Sequence, residues 1–187
     1  MAWSFDIRSA LLVGAALTLL IGLLLAVVAR AMPAAFRPSL NWWVAATLML
    51  PAGFVLLTLR DQLPPSVTIV VANGFVTAAF TAYAVALRRF FGRPPLFGAM
   101  GAVLALGIAV SVAWGLLQPD LTKRLIAISL VLAWPLADCA WTLYRSPDSR
   151  GLLRHVAGGA FVFSACIMVY RAVALVFDPG QVSEVFQ

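Results

Sequence analysis

Four polar residues within long apolar stretches are the positions of this sequence that could carry chemistry: Asn73, Ser129, Asp138 and Arg171. Polar side chains are costly at membrane depth, so those that occur there commonly bind a ligand or an ion. Asn73 and Arg171 each lie about 10 Å from the same end of their stretches, at 1.5 Å per residue, and Ser129 lies at a comparable depth. We therefore predict a ligand-sensing pocket formed by these three residues, with Asp138 as a separate candidate.

Each of these candidates also has a structural interpretation. Asn73 can form an interhelical hydrogen bond, and Arg171 can extend toward the membrane surface or pair with Asp178. Asp138 can reach toward Arg145 near the membrane surface, or cap another helix. It is a poor partner for Arg171, because their depths differ by about a third of the bilayer. The sequence leaves sensing and structural roles open for all of them.

Patterns typical of enzymes, metal sites and nucleic-acid binding are absent from the sequence. His155 is the only histidine, and no HExxH or Ser/His/Asp arrangement occurs. Cys139 and Cys166 lie in apolar stretches without CxxC spacing, which predicts buried free thiols. The net charge of +6 is divided among short connections, where it suits membrane orientation and anionic lipid rather than nucleic acid. We predict no catalytic residue, metal or cofactor within this chain.

The elements that would hold the candidate residues are membrane-spanning helices. Hydrophobic residues make up 63% and charged residues 11%, against about half and a quarter in soluble domains, and mean hydropathy is +1.00. Six apolar stretches approach the ~20 residues that a spanning helix needs: 9–29, 40–59, 66–87, 96–117, 122–144 and 153–177. Glycine-rich patches at 98–107 and 157–160 would let helices approach closely. We predict an all-α integral membrane protein, a single domain over 1–187 folded as an up-and-down bundle of six transmembrane helices.

Arginines are distributed unevenly between the two ends of these predicted helices. The connections after the first, third and fifth stretches hold Arg30, Arg37, Arg88, Arg89, Arg93, Arg145, Arg150 and Arg154. The other end has only Arg8, Arg60, Lys123 and Arg124, together with most of the acidic residues. The positive-inside rule therefore places the arginine-rich connections in the cytoplasm. The N-terminus and, after six crossings, Gln187 are predicted on the outer side.

Residues 40–95 carry short motifs that resemble a known family. A tryptophan pair opens the second stretch, "TLRDQLPPS" follows it, "AN" stands near the start of the third, and "LRRFFGRP" closes it. This pattern, with "YRAVALVF" in the last stretch, resembles the N-terminal membrane domain of bacterial GGDEF proteins, the diguanylate cyclases. The resemblance implies an inner membrane with both termini of this chain periplasmic, and a seventh helix beyond Gln187 leading to a cytoplasmic catalytic domain. That domain would join two GTP molecules with Mg²⁺ in a homodimer.

The function predicted from these patterns is that of a sensory input domain in a signalling protein. No GGDEF sequence, inhibitory RxxD or phosphate-binding loop occurs in the 187 residues, so any synthesis of cyclic di-GMP would belong to the continuation. The signal would be an unidentified small molecule or lipid, and the bilayer is the other partner. A stand-alone membrane subunit or scaffold of a larger complex is the alternative. A small transporter is less favoured, because proton coupling usually needs several acids and only Asp138 is deep.

Overall fold

Six long helices account for most of the chain in the computed structural model, which describes residues 7–146 and 151–177. They are α1 (Ile7–Ala31), α2 (Arg37–Thr58), α3 (Ala72–Phe90), α4 (Phe97–Val112), α5 (Leu121–Arg145) and α6 (Leu152–Phe177). One π-helical turn, Ser66–Val71, leads into α3, and a second, Ala113–Leu117, continues α4. The described residues include no strand. The prediction of an all-helical fold is confirmed.

Each helix is long and apolar enough to cross a bilayer, with the π-helical turns counted as part of α3 and α4. The six helices coincide with the six predicted stretches to within a few residues. α2 begins at Arg37 rather than at residue 40, because Pro38 is well suited to the first helical turn, where a backbone N–H has no partner within the helix. Length and composition are thus those of a protein with six membrane spans.

The end of α3 differs from the sequence prediction in a way that matters for the site. Gly92 has a φ of 65°, and its N–H donates to the Arg89 carbonyl at 3.1 Å, while the Arg93 N–H donates to the Arg88 carbonyl at 2.8 Å. These two bonds form a Schellman motif, which ends a helix at the residue two before the glycine. α3 therefore continues to Phe90, and Arg88 and Arg89 belong to its last turn instead of to the connection.

Consecutive helices pack side by side in opposite directions. Gly14 of α1 faces Phe54 of α2, whereas Gly22, later in α1, faces Leu48, earlier in α2. We call the end formed by the C-termini of α1, α3 and α5 and the N-termini of α2, α4 and α6 the arginine-rich end. The Schellman motif and most of the arginines lie there.

The centre of the bundle is formed by α3 and α5. In their apolar segments 56% and 61% of the residues are buried, against 11% in both α1 and α6. α1 packs chiefly on α2 and α6 chiefly on α5, while α4 covers α3 and α5. One buried apolar cluster lies near the arginine-rich end: Ala84, Val85, Leu87, Met100, Cys139 and Leu143. A second lies toward the opposite end: Val76, Val110, Ile128 and Leu132.

Glycine permits the closest helix approaches. A Cβ on Gly53 would lie 2.8 Å from Val76 Cγ2 and 3.0 Å from a backbone oxygen of α3, so a side chain there would separate α2 from α3. A Cβ on Gly107 would lie 2.8 Å from Thr77 Oγ1, where α4 meets α3. Gly101, in the same glycine-rich patch, has nothing within 4 Å. Only part of that patch therefore serves close helix packing.

Candidate functional site

The structure does not bring Asn73 and Arg171 together. Asn73 lies half-buried at the start of α3, and Arg171 is exposed on α6, which packs along α5 and forms no extended contact with α3. Within residues 7–146 and 151–177, neither side chain makes a hydrogen bond or an ion pair. Asp178, the proposed alternative partner of Arg171, lies outside the described residues. Similar depth thus does not make two helices neighbours, and a ligand-sensing role for Asn73 and Arg171 stays a prediction.

Ser129 is buried on α5 with its hydrogen bond already satisfied. Its hydroxyl donates to the Leu125 carbonyl at 2.7 Å, one turn earlier in the same helix. Only 1% of the residue is accessible. A ligand would have to displace this internal bond, so Ser129 contributes no free donor to a pocket.

Asp138 forms a buried ion pair with Arg88. The Arg88 Nε donates to Asp138 Oδ2 at 2.7 Å, and Nη2 donates to Oδ1, which makes the contact bidentate. The two side chains are 11% and 8% exposed. Arg88 Nη1 also faces the Pro94 carbonyl at 3.4 Å. This arrangement, the Arg88–Asp138 clamp, joins α3, α5 and the connection to α4.

The clamp was not predicted from the sequence. The sequence assigns Arg88 to membrane orientation, and it gives Asp138 a ligand-sensing role or a place near Arg145 or at a helix cap. Arg145 instead lies with its guanidinium 4.2 Å from the Trp141 ring. α3 continues through Arg88, and the arginine side chain is long enough to reach Asp138 on α5. The usable signal was Gly92, whose position predicts a helix that includes Arg88.

Because the clamp is buried, loss of either partner is expected to cost several kcal/mol of stability. Moving each charge out of water costs several kcal/mol, which a pair recovers only with good geometry and further hydrogen bonds. Bidentate arginine–carboxylate contacts supply that geometry. Removal of one partner leaves an uncompensated buried charge and costs about 3–5 kcal/mol in proteins generally. The clamp therefore stabilises the arrangement of α3 and α5 in which Arg88 and Asp138 are paired.

Polar contacts also fix α2 to α3 close to the clamp. The Ser39 hydroxyl donates to the Ala86 carbonyl at 2.7 Å, and the Tyr83 hydroxyl donates to Thr47 Oγ1 at 3.0 Å. On the other side of α3, the Arg88–Asp138 clamp connects it to α5. The fully buried Thr142 of α5 adds no such contact, since its Oγ1 has no hydrogen-bond partner among the described residues. α3 is thus tied on both sides near the arginine-rich end.

Several other predicted orientation-setting arginines contact rings and carbonyls. Three lie against aromatic rings: Arg89 at 5.5 Å from Phe97, Arg145 at 4.2 Å from Trp141 and Arg154 at 5.6 Å from Tyr144. Arg154 also donates to the Tyr144 carbonyl at 2.6 Å. Arg150 lies outside the described residues. Apart from Arg88, none of the described arginines at this end pairs with a described carboxylate.

The opposite end of the bundle holds carboxylates in ordinary structural roles. Asp120 caps α5 by accepting a hydrogen bond from the Lys123 N–H at 2.9 Å, and its carboxylate lies 3.1 Å from Lys123 Nζ. The backbone hydrogen bond from Lys123, together with that side chain, lowers the pKa of Asp120 below its ordinary value. Asp61 pairs with Arg8, which ties the connection after α2 to α1.

The two π-helical turns meet at this opposite end. A Cβ on Gly115 of the second turn would lie 2.6 Å from Cγ2 of Ile69 in the first. π-Helical turns within helices occur frequently at functional sites, and Asn73 is the second residue after the first turn. No motif in the sequence predicted them, since apolar composition is the same for α- and π-helical backbone.

Within residues 7–146 and 151–177, the cysteines and acidic residues form no metal centre. Cys139 and Cys166 are both free, but only Cys139 is buried. The prediction of a buried thiol is therefore wrong for Cys166, which lies on an exposed face of α6. No group of three or more His, Cys, Asp or Glu side chains is placed to hold a metal ion among the residues the structure describes.

Comparison with protein-family models, with curated proteins and with solved structures finds no match. The resemblance of residues 40–95 to GGDEF-protein membrane domains therefore rests on the quoted motifs alone.

Proposed function

We propose that this chain is the membrane-embedded input domain of a signalling protein, inserted in a bacterial inner membrane with its arginine-rich end in the cytoplasm. Six apolar helices of bilayer length support the insertion. The uneven distribution of arginines supports the orientation, with the N-terminus and Gln187 periplasmic. The proposed output is a dimeric diguanylate cyclase beyond Gln187, reached through a seventh helix. That part of the proposal rests on the motif resemblance.

The Arg88–Asp138 clamp is the observation that carries the input role. A buried bidentate ion pair between two central helices favours discrete closed and open arrangements, because partial separation loses hydrogen bonds without regaining water. A signal that binds one arrangement more tightly would shift the population between them. α6 packs along α5, so a displacement of α5 would reach the last of the described helices and then the output.

The proposed orientation is tested with reporter fusions. A periplasm-active reporter fused after Gln187 should be active, and one placed in the connection at 91–95 should be inactive. The matched control is a cytoplasm-active reporter at the same two sites, which should give the opposite pattern. A periplasmic signal from 91–95 and none from Gln187 would contradict the orientation.

The proposed output is tested from the gene and from the purified protein. Reading the coding sequence beyond Gln187 should reveal a further helix and a GGDEF domain. The full-length protein should make cyclic di-GMP from GTP, whereas the 187-residue chain in detergent should make none. A stop codon directly after Gln187, or turnover by the 187-residue chain alone, would contradict the proposal.

One observation favours the alternative of a stand-alone membrane subunit or scaffold. α1 and α6 bury only 11% of their apolar segments within the bundle, so both have broad faces on which partner helices could pack. Such a subunit should co-purify in a fixed ratio with another membrane protein after mild solubilisation. An input domain should instead purify only with copies of its own parent.

A further inference from the structure

A cleft opens between α1 and α2 at the arginine-rich end. It has a volume of about 360 Å³ and is lined by Ala26, Ala29, Arg30, Arg37, Asn41 and Val44. The alanines and the valine are small enough to leave room between the helices. The polar groups all stand at the end of the cleft nearest the connection, where a bilayer surface would lie. The cleft thus combines two guanidinium groups and an amide with an apolar floor.

The positive charge of this cleft is not neutralised by the described residues. Arg30 makes no ion pair or hydrogen bond within residues 7–146 and 151–177, and Arg37 donates only through Nε, to the Met32 carbonyl at 3.4 Å. The three described acids are committed elsewhere: Asp61 to Arg8, Asp120 to Lys123 and Asp138 to Arg88. Counter-charge for the cleft must therefore come from outside this part of the chain.

The chemistry of the cleft fits a phosphate group. Guanidinium groups bind phosphate oxygens in a bidentate manner and are more weakly hydrated than ammonium groups. Arg30 and Arg37 line the same cleft from two different helices, an arrangement suited to a phosphate group that accepts hydrogen bonds from more than one side. Asn41 adds an amide that can donate to a second oxygen or to a headgroup hydroxyl.

Exposed apolar residues on α1 beside the cleft favour a phosphate that belongs to a lipid over a free phosphate ion. Leu23 and Leu19 lie one and two turns from Ala26 on the same face of α1, and they are 53% and 44% exposed. Acyl chains attached to a bound phosphate could lie along these side chains. Basic pockets between membrane helices on the cytoplasmic side commonly bind anionic headgroups.

We propose that the cleft lined by Arg30, Arg37 and Asn41 binds the phosphate of an anionic phospholipid from the cytoplasmic leaflet, with the acyl chains on the exposed face of α1. The proposal depends on the membrane orientation given above and not on the signalling role. It adds a specific site to the general attraction between basic connections and anionic membranes.

The test measures lipid binding to the full 187-residue chain in uncharged detergent micelles. The probes are short-chain phosphatidylglycerol, phosphatidylcholine with the same chains, and inorganic phosphate, followed by native mass spectrometry and by titration calorimetry. The site variant is Arg30→Gln/Arg37→Gln. The matched control is Arg89→Gln/Arg93→Gln, which removes the same charge from the same end but outside the cleft. Arg30 and Arg37 are exposed, whereas Arg89 and Arg93 are half-buried, so thermal melting is used to check that both variants are folded.

We expect phosphatidylglycerol to bind more tightly than phosphatidylcholine and than inorganic phosphate. The site variant should weaken its binding by about tenfold or more, because hydrogen bonds to charged groups are lost, and the control variant should weaken it less than about twofold. If both variants weaken phosphatidylglycerol binding equally, the binding depends on overall positive charge at this end, and the proposed site is refuted. Equal binding of the two lipids would exclude a headgroup site, and phosphate binding as tight as lipid binding would assign the cleft to a free anion.

Discussion

Removing either member of the Arg88–Asp138 clamp should destabilise the bundle strongly. Arg88→Leu and Asp138→Leu each leave one charge buried, at sites where the side chains are only 11% and 8% exposed. Breaking a buried pair costs about 3–5 kcal/mol. We expect about 3 kcal/mol for each variant, because the clamp lies in the last turn of α3, where a freed Arg88 can still extend toward the surface.

The double variant Arg88→Leu/Asp138→Leu distinguishes the interaction energy of the pair from the separate effects of losing each residue. It buries no unpaired charge, and replacing a buried pair with apolar residues is often neutral or stabilising. It should therefore be less destabilised than the sum of the single variants by about 2–3 kcal/mol, within the range of coupling between contacting residues. Arg145→Leu is the control: it removes an arginine from the same end that contacts Trp141 but no described carboxylate, and it should cost about 0.5–1 kcal/mol.

The assay is reversible unfolding of the purified chain in mixed micelles, followed by tryptophan fluorescence and by far-ultraviolet circular dichroism. Both probes should give the same transition if unfolding is two-state. Strictly additive effects of the two single variants would refute the clamp, because additivity is the signature of residues that do not interact. If Arg88→Leu and Asp138→Leu each lower the free energy of unfolding by no more than Arg145→Leu does, water reaches the pair.

Three further outcomes follow from single residues. Gly53→Leu should lower the free energy of unfolding by about 1–3 kcal/mol through its clash with α3, while Gly101→Ala, in open space, should not lower it. Asp120→Asn should lower the melting temperature at neutral pH; because the pKa of Asp120 is lowered by folding, the difference should disappear as the pH falls through that pKa. Asn73 and Arg171 lie on helices without extended contact, so Asn73→Leu and Arg171→Leu should have additive effects on the free energy of unfolding; a coupling of about 1 kcal/mol or more would contradict their separation.

The helices were predictable because each depends on a property of one continuous stretch. A run of about 20 apolar residues suffices to identify a spanning helix. Proline at 38, 64–65, 94–95 and 119 lies at or near the ends of the helices that formed. The one boundary that mattered, the end of α3, was also encoded locally, by Gly92 in its Schellman motif.

The candidate site was not predictable in the same way, because it depends on which helices are neighbours and how each is rotated. Depth along a helix can be counted from the sequence, and it made Asn73 and Arg171 look like partners. In the structure these helices, α3 and α6, make no extended contact. Asp138 and Arg88 are 50 residues apart in sequence, and only the packing of α5 on α3 brings them together. The same limit applies to Cys166, whose apolar surroundings in sequence did not reveal its exposed face.

The input role is tested most directly by cyclic di-GMP synthesis of the full-length parent, normalised to the amount of folded protein. The comparison is between wild type, Arg88→Leu/Asp138→Leu and the control Arg145→Leu, in membranes of the same composition. The double variant should change output by about fivefold or more, the scale of a typical coupling between sites, whereas the control should leave it unchanged. Equal output per folded molecule from wild type and the double variant would contradict the proposal that the clamp transmits a signal.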